Sequence, residues 1–283
     1  MFLFPLPALV LFTFFFAVPA LQAIQYSVTD WDGYSPTYST LGIANFARAF
    51  AGDVLFSNAL GNSMKFMIVV VAAQTLLSLL LAVFLVKNTK VNVFLRALYF
   101  FPTILSSVSV AFVWRFMYDP NFGLINQSLH AVGLGGLSSS FLGDSSTAIF
   151  WVALTQTWAH TGQMIVVFVA GLQAIPAELY EAAEVDGASK WDQFRWITWP
   201  LVAPATSIVV AYTTIQSFKS FDLILGLGGN PPGSGLDILS TRIYTTFANS
   251  QYGYAAAESI LFMLFIGVTT FFLRRVLRLV QKG

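Results

Sequence analysis

The sequence predicts an all-α polytopic membrane protein with six transmembrane helices. The first observation is composition. The 283 residues are 57% hydrophobic and only 10% charged, with a mean hydropathy of +0.72. A soluble domain carries about 25% charged residues, so this chain cannot solvate its surface in water. The second observation is six apolar stretches near the length of roughly 20 residues that a spanning helix needs. The third is the placement of basic residues on alternate connections, which orients the bundle.

The first stretch, 2–24, is rich in Phe and has no polar site, so it reads as lipid-facing packing. Small residues near Ala23 resemble a signal-peptide end, but there is no basic n-region and the run is long for an h-region. It is therefore expected to be a retained span, preceded by a native extension that is missing or very short. The other spans fall at 66–86, 97–117, 148–172, 201–225 and 255–273. Between them, 25–65, 118–147 and 226–254 are rich in Gly, Pro, Ser, Asn and aromatics and read as loops with short interfacial helices. No clear internal repeat or low-complexity tract appears, so residues 1–283 form one membrane domain.

Lys87, Lys90, Arg96, Lys190, Arg195, Arg274, Arg275, Arg278 and Lys282 lie on one side, nine of the fourteen basic residues. The opposite side carries mainly Arg48, Lys65 and Arg242. Both termini and the 175–200 connection are therefore expected in the cytoplasm. The net charge of +1 and the lack of a basic tail give no sign of nucleic-acid binding. With no cysteine, disulfides, thiolate metal sites and Cys nucleophiles are excluded.

The 175–200 connection holds five of the thirteen acidic residues: Glu178, Glu181, Glu184, Asp186 and Asp192. Pro176 suits a first helical position. Glu178 and Glu181 follow where a helix dipole favours negative charge. Leu179, Ala182 and Ala183 make a slim apolar face. Gly187 supplies the backbone freedom that ends a helix. Ser189 and Asp192 have capping-box spacing for a second helix, in which Trp191, Phe194, Arg195 and Thr198 share helical spacing and Pro200 closes the segment. One reading is an amphipathic helix on lipid headgroups. Such helices favour Lys and Arg on their polar face, whereas this loop is acidic, so a protein partner is the better account.

Glu181-Ala182-Ala183, Asp186-Gly187-Ala188, then Phe194, Ile197, Pro200 and Pro204, resemble the EAA loop of permease subunits of ABC importers. Trp199 departs from the Leu usual there, yet stays apolar. The likeness to carbohydrate-type permeases, of the maltose and glycerol-phosphate kind, extends along nearly the whole chain. It covers Tyr26-Ser-Val-Thr-Asp-Trp31, Gly42-Ile-Ala-Asn-Phe46, Arg96-Ala-Leu-Tyr-Phe-Phe-Pro102 and Trp114-Arg-Phe-Met-Tyr-Asp-Pro120. It continues through Phe122-Gly-Leu-Ile-Asn126, Ala170-Gly-Leu-Gln-Ala-Ile-Pro176, Ser217-Phe-Lys-Ser-Phe-Asp222 and Tyr252-Gly-Tyr-Ala-Ala-Ala257. The resemblance implies a type I importer bundle in the prokaryotic plasma membrane. Its implied partners are a second, related permease, a cytoplasmic ATPase dimer and an external solute-binding protein. It also implies that Glu181, Ala182, Ala183, Asp186, Gly187, Ala188, Ser189, Trp191, Phe194 and Pro200 form a coupling helix seated in the ATPase.

The chain has no G-x-x-x-x-G-K-[ST], no histidine pair at zinc spacing, no H-E-x-x-H and no G-x-S-x-G. It is therefore expected to be no enzyme and to bind no cofactor or metal, with ATP and Mg on a partner ATPase. Polar groups in spans are functional candidates by default. Trp158, His160, Gln163, Gln216, Phe221 and Glu258 offer the donors, acceptors and rings that a sugar needs, and Tyr212 and Tyr244 could add to them. The plain alternative for each polar group is an interhelical hydrogen bond worth about 1 kcal/mol. Lys219 and Asp222, three apart, are expected to pair on one helix face. Glu258 stands between two roles, pairing with Lys219 or lining the path. The rival to ATP-driven import is an ion-coupled secondary transporter, which would need midplane carboxylates or broken helices. Only Asp222 and Glu258 qualify as such carboxylates.

Overall fold

The computed structural model describes residues 5–233 and 235–280, the last five as backbone alone. Phe2 to Phe4 of the first predicted span, Lys282, and the side chain of Arg278 lie outside that description. The chain is 75% helical. Three helices are long and apolar enough to cross a membrane, and three bent pairs bring the candidate spans to six.

Helix α1 (Leu6–Tyr26) buries none of its side chains. Phe12, Phe14, Phe15 and Phe16 are all exposed, as a lipid-facing helix requires. After α2 (Ala44–Ala51), helix α3 runs unbroken over Val54–Leu85. It starts twelve residues before the apolar stretch that predicted it. Asp53 caps it by accepting from the Phe56 amide at 3.0 Å. The polar first turns survive because Asn62 and Ser63 have partners at Asp237 and Leu239.

The span predicted at 97–117 is two helices, α4 (Lys90–Ile104) and α5 (Ser107–Met117), bent by 97°. Pro102 removes a backbone donor near the end of α4, Leu105 is extended, and the Ser106 hydroxyl caps α5 at the Ser109 amide. A short α6 (Leu124–Ala131) follows. Helix α7 (Ala148–Gln173) packs along both α3 and α4. Gly162 permits the α4 crossing, since a Cβ there would lie 2.0 Å from the Tyr99 carbonyl oxygen.

Helices α8 (Ala177–Val185) and α9 (Lys190–Leu201) form the hairpin predicted at 175–200. Pro176 is the N-cap of α8 rather than its first helical residue. Pro200 does not close α9 alone. The helix reaches Leu201 and bends by 61° into α10 (Ala203–Phe218). A π turn over Phe194–Thr198 precedes this bend.

The span predicted at 201–225 is also broken. Helix α10 stops at Phe218, and α11 (Phe221–Gly228) begins after Lys219 and Ser220. Helix α12 (Leu239–Ala248) precedes α13 (Tyr252–Val280), which overruns the predicted 255–273 at both ends. Three apolar clusters hold the bundle. One joins α5, the first half of α7 and α11. The second packs Leu79, Ala82 and Leu85 of α3 against Met164 to Leu172 of α7 and Val202 and Ala205 at the head of α10. The third gathers Ala49, Phe56, Ala59, Leu239 and Tyr254 where α2, α3, α12 and α13 meet.

Candidate functional site: a protruding hairpin and a polar cavity

The hairpin is stabilised by bonds between residues close in sequence. Gly187 takes a φ of +80°, the left-handed conformation that stops α8. The Ala188 amide then donates to the Ala183 carbonyl at 2.9 Å and the Gly187 amide to that of Glu184 at 3.1 Å. Ser189 and Asp192 make the predicted capping box in full. Those bonds from Ser189 hold the Asp192 carboxyl below the usual range. Lys190 bonds Glu184 across the turn and lowers its pKa too. Tyr180 and Thr198 join α8 to α9 through their hydroxyls, 2.8 Å apart.

Glu181, Ala182, Asp186, Gly187, Ser189, Trp191 and Pro200 are exposed, while Ala183, Ala188 and Phe194 are half-buried. Trp191 stacks on Phe194 at 5.7 Å and is 67% exposed; Val185 at the tip is 88% exposed. The hairpin thus presents carboxylates beside two uncovered apolar side chains. Water alone gives no reason for such an apolar surface.

A cavity of 300 Å³ opens between α7, α10 and the break before α11. Its lining includes Gln156, His160, Tyr212, Gln216, Lys219 and Asp222. His160 and Gln216 are therefore together, as the sequence candidates required. Gln163 is one step away, donating to the Tyr212 hydroxyl at 3.0 Å. Gln156, not among those candidates, joins His160 because the two are one helical turn apart. Among the described residues, the buried Oε1 of Gln216 and Nδ1 of His160 have no hydrogen-bond partner.

Three candidates lie elsewhere. Trp158 is two residues from both Gln156 and His160, so it points to another face of α7 and meets Trp114 edge-on at 5.4 Å. Phe221 packs against Tyr244 at 5.2 Å. Glu258 is fully buried beside Arg242, with Nε to Oε1 at 3.3 Å, and lines no part of this cavity. Lys219 and Asp222 do not pair with each other among the described residues, because the helix on which their spacing would matter ends between them.

Residues 74–282 match the family model "Binding-protein-dependent transport system inner membrane component". The chain belongs to this family. It is similar to a probable ABC transporter permease, YurN of Bacillus subtilis strain 168, with 34% identity over 90% of this chain and 88% of the relative. It is 30% identical to UgpA of Agrobacterium fabrum, a permease of an sn-glycerol-3-phosphate transport system, over 98% of this chain and 94% of that one. Its fold matches a chain of a bacterial alginate ABC transporter solved with an alginate-pentasaccharide-bound periplasmic protein. The TM-score is 0.83 at 22% identity, covering 98% and 93% of the two chains. This family member is thus a membrane-spanning ABC importer permease.

Proposed function

We propose that this permease is one half of the translocation pore of an ATP-driven importer for a sugar or sugar-phosphate in a prokaryotic plasma membrane. The reading is carried by one observation: an exposed, locally braced hairpin bearing the EAA pattern in a chain of this family. Both termini and the hairpin face the cytoplasm, in keeping with the basic residues beside them. A separate ATPase dimer holds ATP and Mg and receives Glu181, Asp186 and the apolar tip in its cleft. An external binding protein delivers solute to the opposite side, and a second, related permease covers the open flank of the cavity.

Amide, imidazole, phenol and hydroxyl groups around the cavity suit a hydroxyl-rich solute, and Lys219 adds a cation for a phosphate. A secondary transporter would need a carboxylate at this cavity. Glu258 is not there, and Asp222 lines it beside Lys219, so the preference for ATP-driven import rests on the family match and the EAA pattern rather than on the cavity.

The test uses the complex with its P-loop ATPase in proteoliposomes. Gly187→Arg puts a long side chain at the turn. A Cβ there meets nothing within 4 Å, but the φ of +80° strains any other residue, so the change distorts the turn without a clash against the packed bundle. ATPase activity should persist while solute uptake is lost. Normal uptake by a well-expressed variant, or wild-type uptake that survives vanadate and stops with an ionophore, overturns the proposal.

A further inference from the structure

Far from the hairpin, charged side chains from three helix boundaries meet under cover. Asp53, the cap of α3, accepts through Oδ2 from Arg242 Nη2 at 2.8 Å and from the Tyr254 hydroxyl at 2.9 Å. Arg242 belongs to α12 and Tyr254 to α13. The same guanidinium reaches the fully buried Glu258 of α13. Asp237, just before α12, accepts from Thr241 at 2.6 Å, and its carbonyl accepts from Asn62 of α3 at 3.0 Å. The Leu239 amide donates to Ser63 of α3 at 2.9 Å. Helix α12 is thus joined to the head of α3 by three separate polar links and to α13 by one ion contact.

Buried ion pairs contribute little net stability compared with well-packed apolar residues of the same volume, and their best-attested use is to fix one arrangement. What this arrangement fixes is shown by α3. It is 32 residues without a break, about 48 Å at 1.5 Å per residue. Its far end, Leu79 to Leu85, packs on the last turns of α7 and the first of α10, which carry the hairpin. Helices α1 and α13 are unbroken too, but among the described residues they add nothing to this apolar cluster at the base of the hairpin, and the remaining candidate spans bend by 97°, 64° and 61°. Helix α12 also keeps Tyr244 and Phe247 exposed on its other side.

We infer that Asp53, Arg242 and Glu258 are positioning residues that lock α12 to the head of α3, so that a displacement of α12 is delivered along α3 to the base of the hairpin. The displacing partner is the external binding protein, so the inference rests on the transport reading above. The cluster acts as a single latch. Without it α12 keeps only the links of Asn62 to Asp237 and of Ser63 to Leu239, and the ATPase senses the docked protein less.

The experiment measures ATP hydrolysis by the whole importer in nanodiscs, with and without the solute-loaded binding protein, for wild type, Asp53→Asn, Arg242→Lys and Glu258→Gln. The variants should retain their ATPase and the basal rate, while stimulation by the binding protein falls by about fivefold or more. Wild-type stimulation in all three overturns the inference, and so does an equal fall of basal and stimulated rates, which a merely structural role would give. A wild-type complex that shows no stimulation overturns the transport reading and this inference with it. The chain has no cysteine, so spin labels at Asn249→Cys and Val185→Cys give a second measurement. The response of their separation to the binding protein should differ between the wild type and Asp53→Asn, because only in the wild type does the full latch couple α12 to α3. An identical response overturns the inference.

Discussion

The hairpin and the buried cluster both concentrate charge in a chain that has little of it, and they are built in opposite ways. In the hairpin, Ser189 meets Asp192 and Glu184 meets Lys190 within six residues, at the surface. In the cluster, Asp53 meets Arg242 across 189 residues and Tyr254 across 201, with water excluded from Glu258. Screening keeps each hairpin contact weak, and the element is free to present a face to something else. Desolvation makes each cluster contact consequential, because losing one partner leaves another charge buried alone.

That contrast is broken most forcefully by Arg242→Ala. It leaves Asp53 and Glu258 without their counter-charge, and the expected loss is about 3–5 kcal/mol of bundle stability. Thermal unfolding of the purified permease in detergent measures it. A variant within experimental error of wild type would show that the cluster is solvated. Next in size is Gly162→Ala. The added Cβ meets the Tyr99 carbonyl oxygen at 2.0 Å, against backbone that cannot step aside as a side chain can. Overpacking of this kind costs about 1–3 kcal/mol, read by the same unfolding. The α4–α7 crossing thus behaves like the cluster rather than like the hairpin: a small chemical change has a large structural effect.

The same contrast explains which parts of the molecule are legible in its sequence. Capping spacing at Ser189 and Asp192, and the turn at Gly187, follow local rules, so residues 175–200 specify the hairpin by themselves. Six apolar stretches give the number of candidate spans for the same reason. The first three turns of α3 are hidden because Ser57, Asn58, Asn62 and Ser63 look like a loop. Two of them are satisfied by Asp237 and Leu239, 175 and 176 residues away. The breaks at Leu105 and at Lys219–Ser220 do have local marks, Pro102 and Ser106 at the first and the polar residues from Gln216 to Asp222 at the second, but hydropathy averaged over the length of a span passes over both. Glu258 and Arg242 stand in the sequence as a stray acid and a loop cation, and only the approach of α12 to α13 makes them partners. In the cavity, helical periodicity alone is enough to join Gln156 to His160 and set Trp158 apart.

The smallest effect lies in the hairpin and tests whether its stability is as local as its bonds. Ser189→Ala removes the hydroxyl that accepts from the Asp192 amide, and a lost cap costs about 1 kcal/mol of helix. The Asp192 carboxyl is depressed by its bonds to Ser189, so its contribution is present above its unfolded pKa of about 3.9. That contribution disappears as the pH falls through the lower folded value. Amide exchange at residues 190–194 should therefore quicken on acidification in the wild type. In Ser189→Ala it should be fast already near neutral pH and respond less to acid. Exchange in the core of α3 should be untouched by the substitution, because no bond of the capping box leaves residues 189–192. Protection lost in both places would mean that the hairpin is energetically part of the bundle, and the division between a local docking element and a long-range latch would fail.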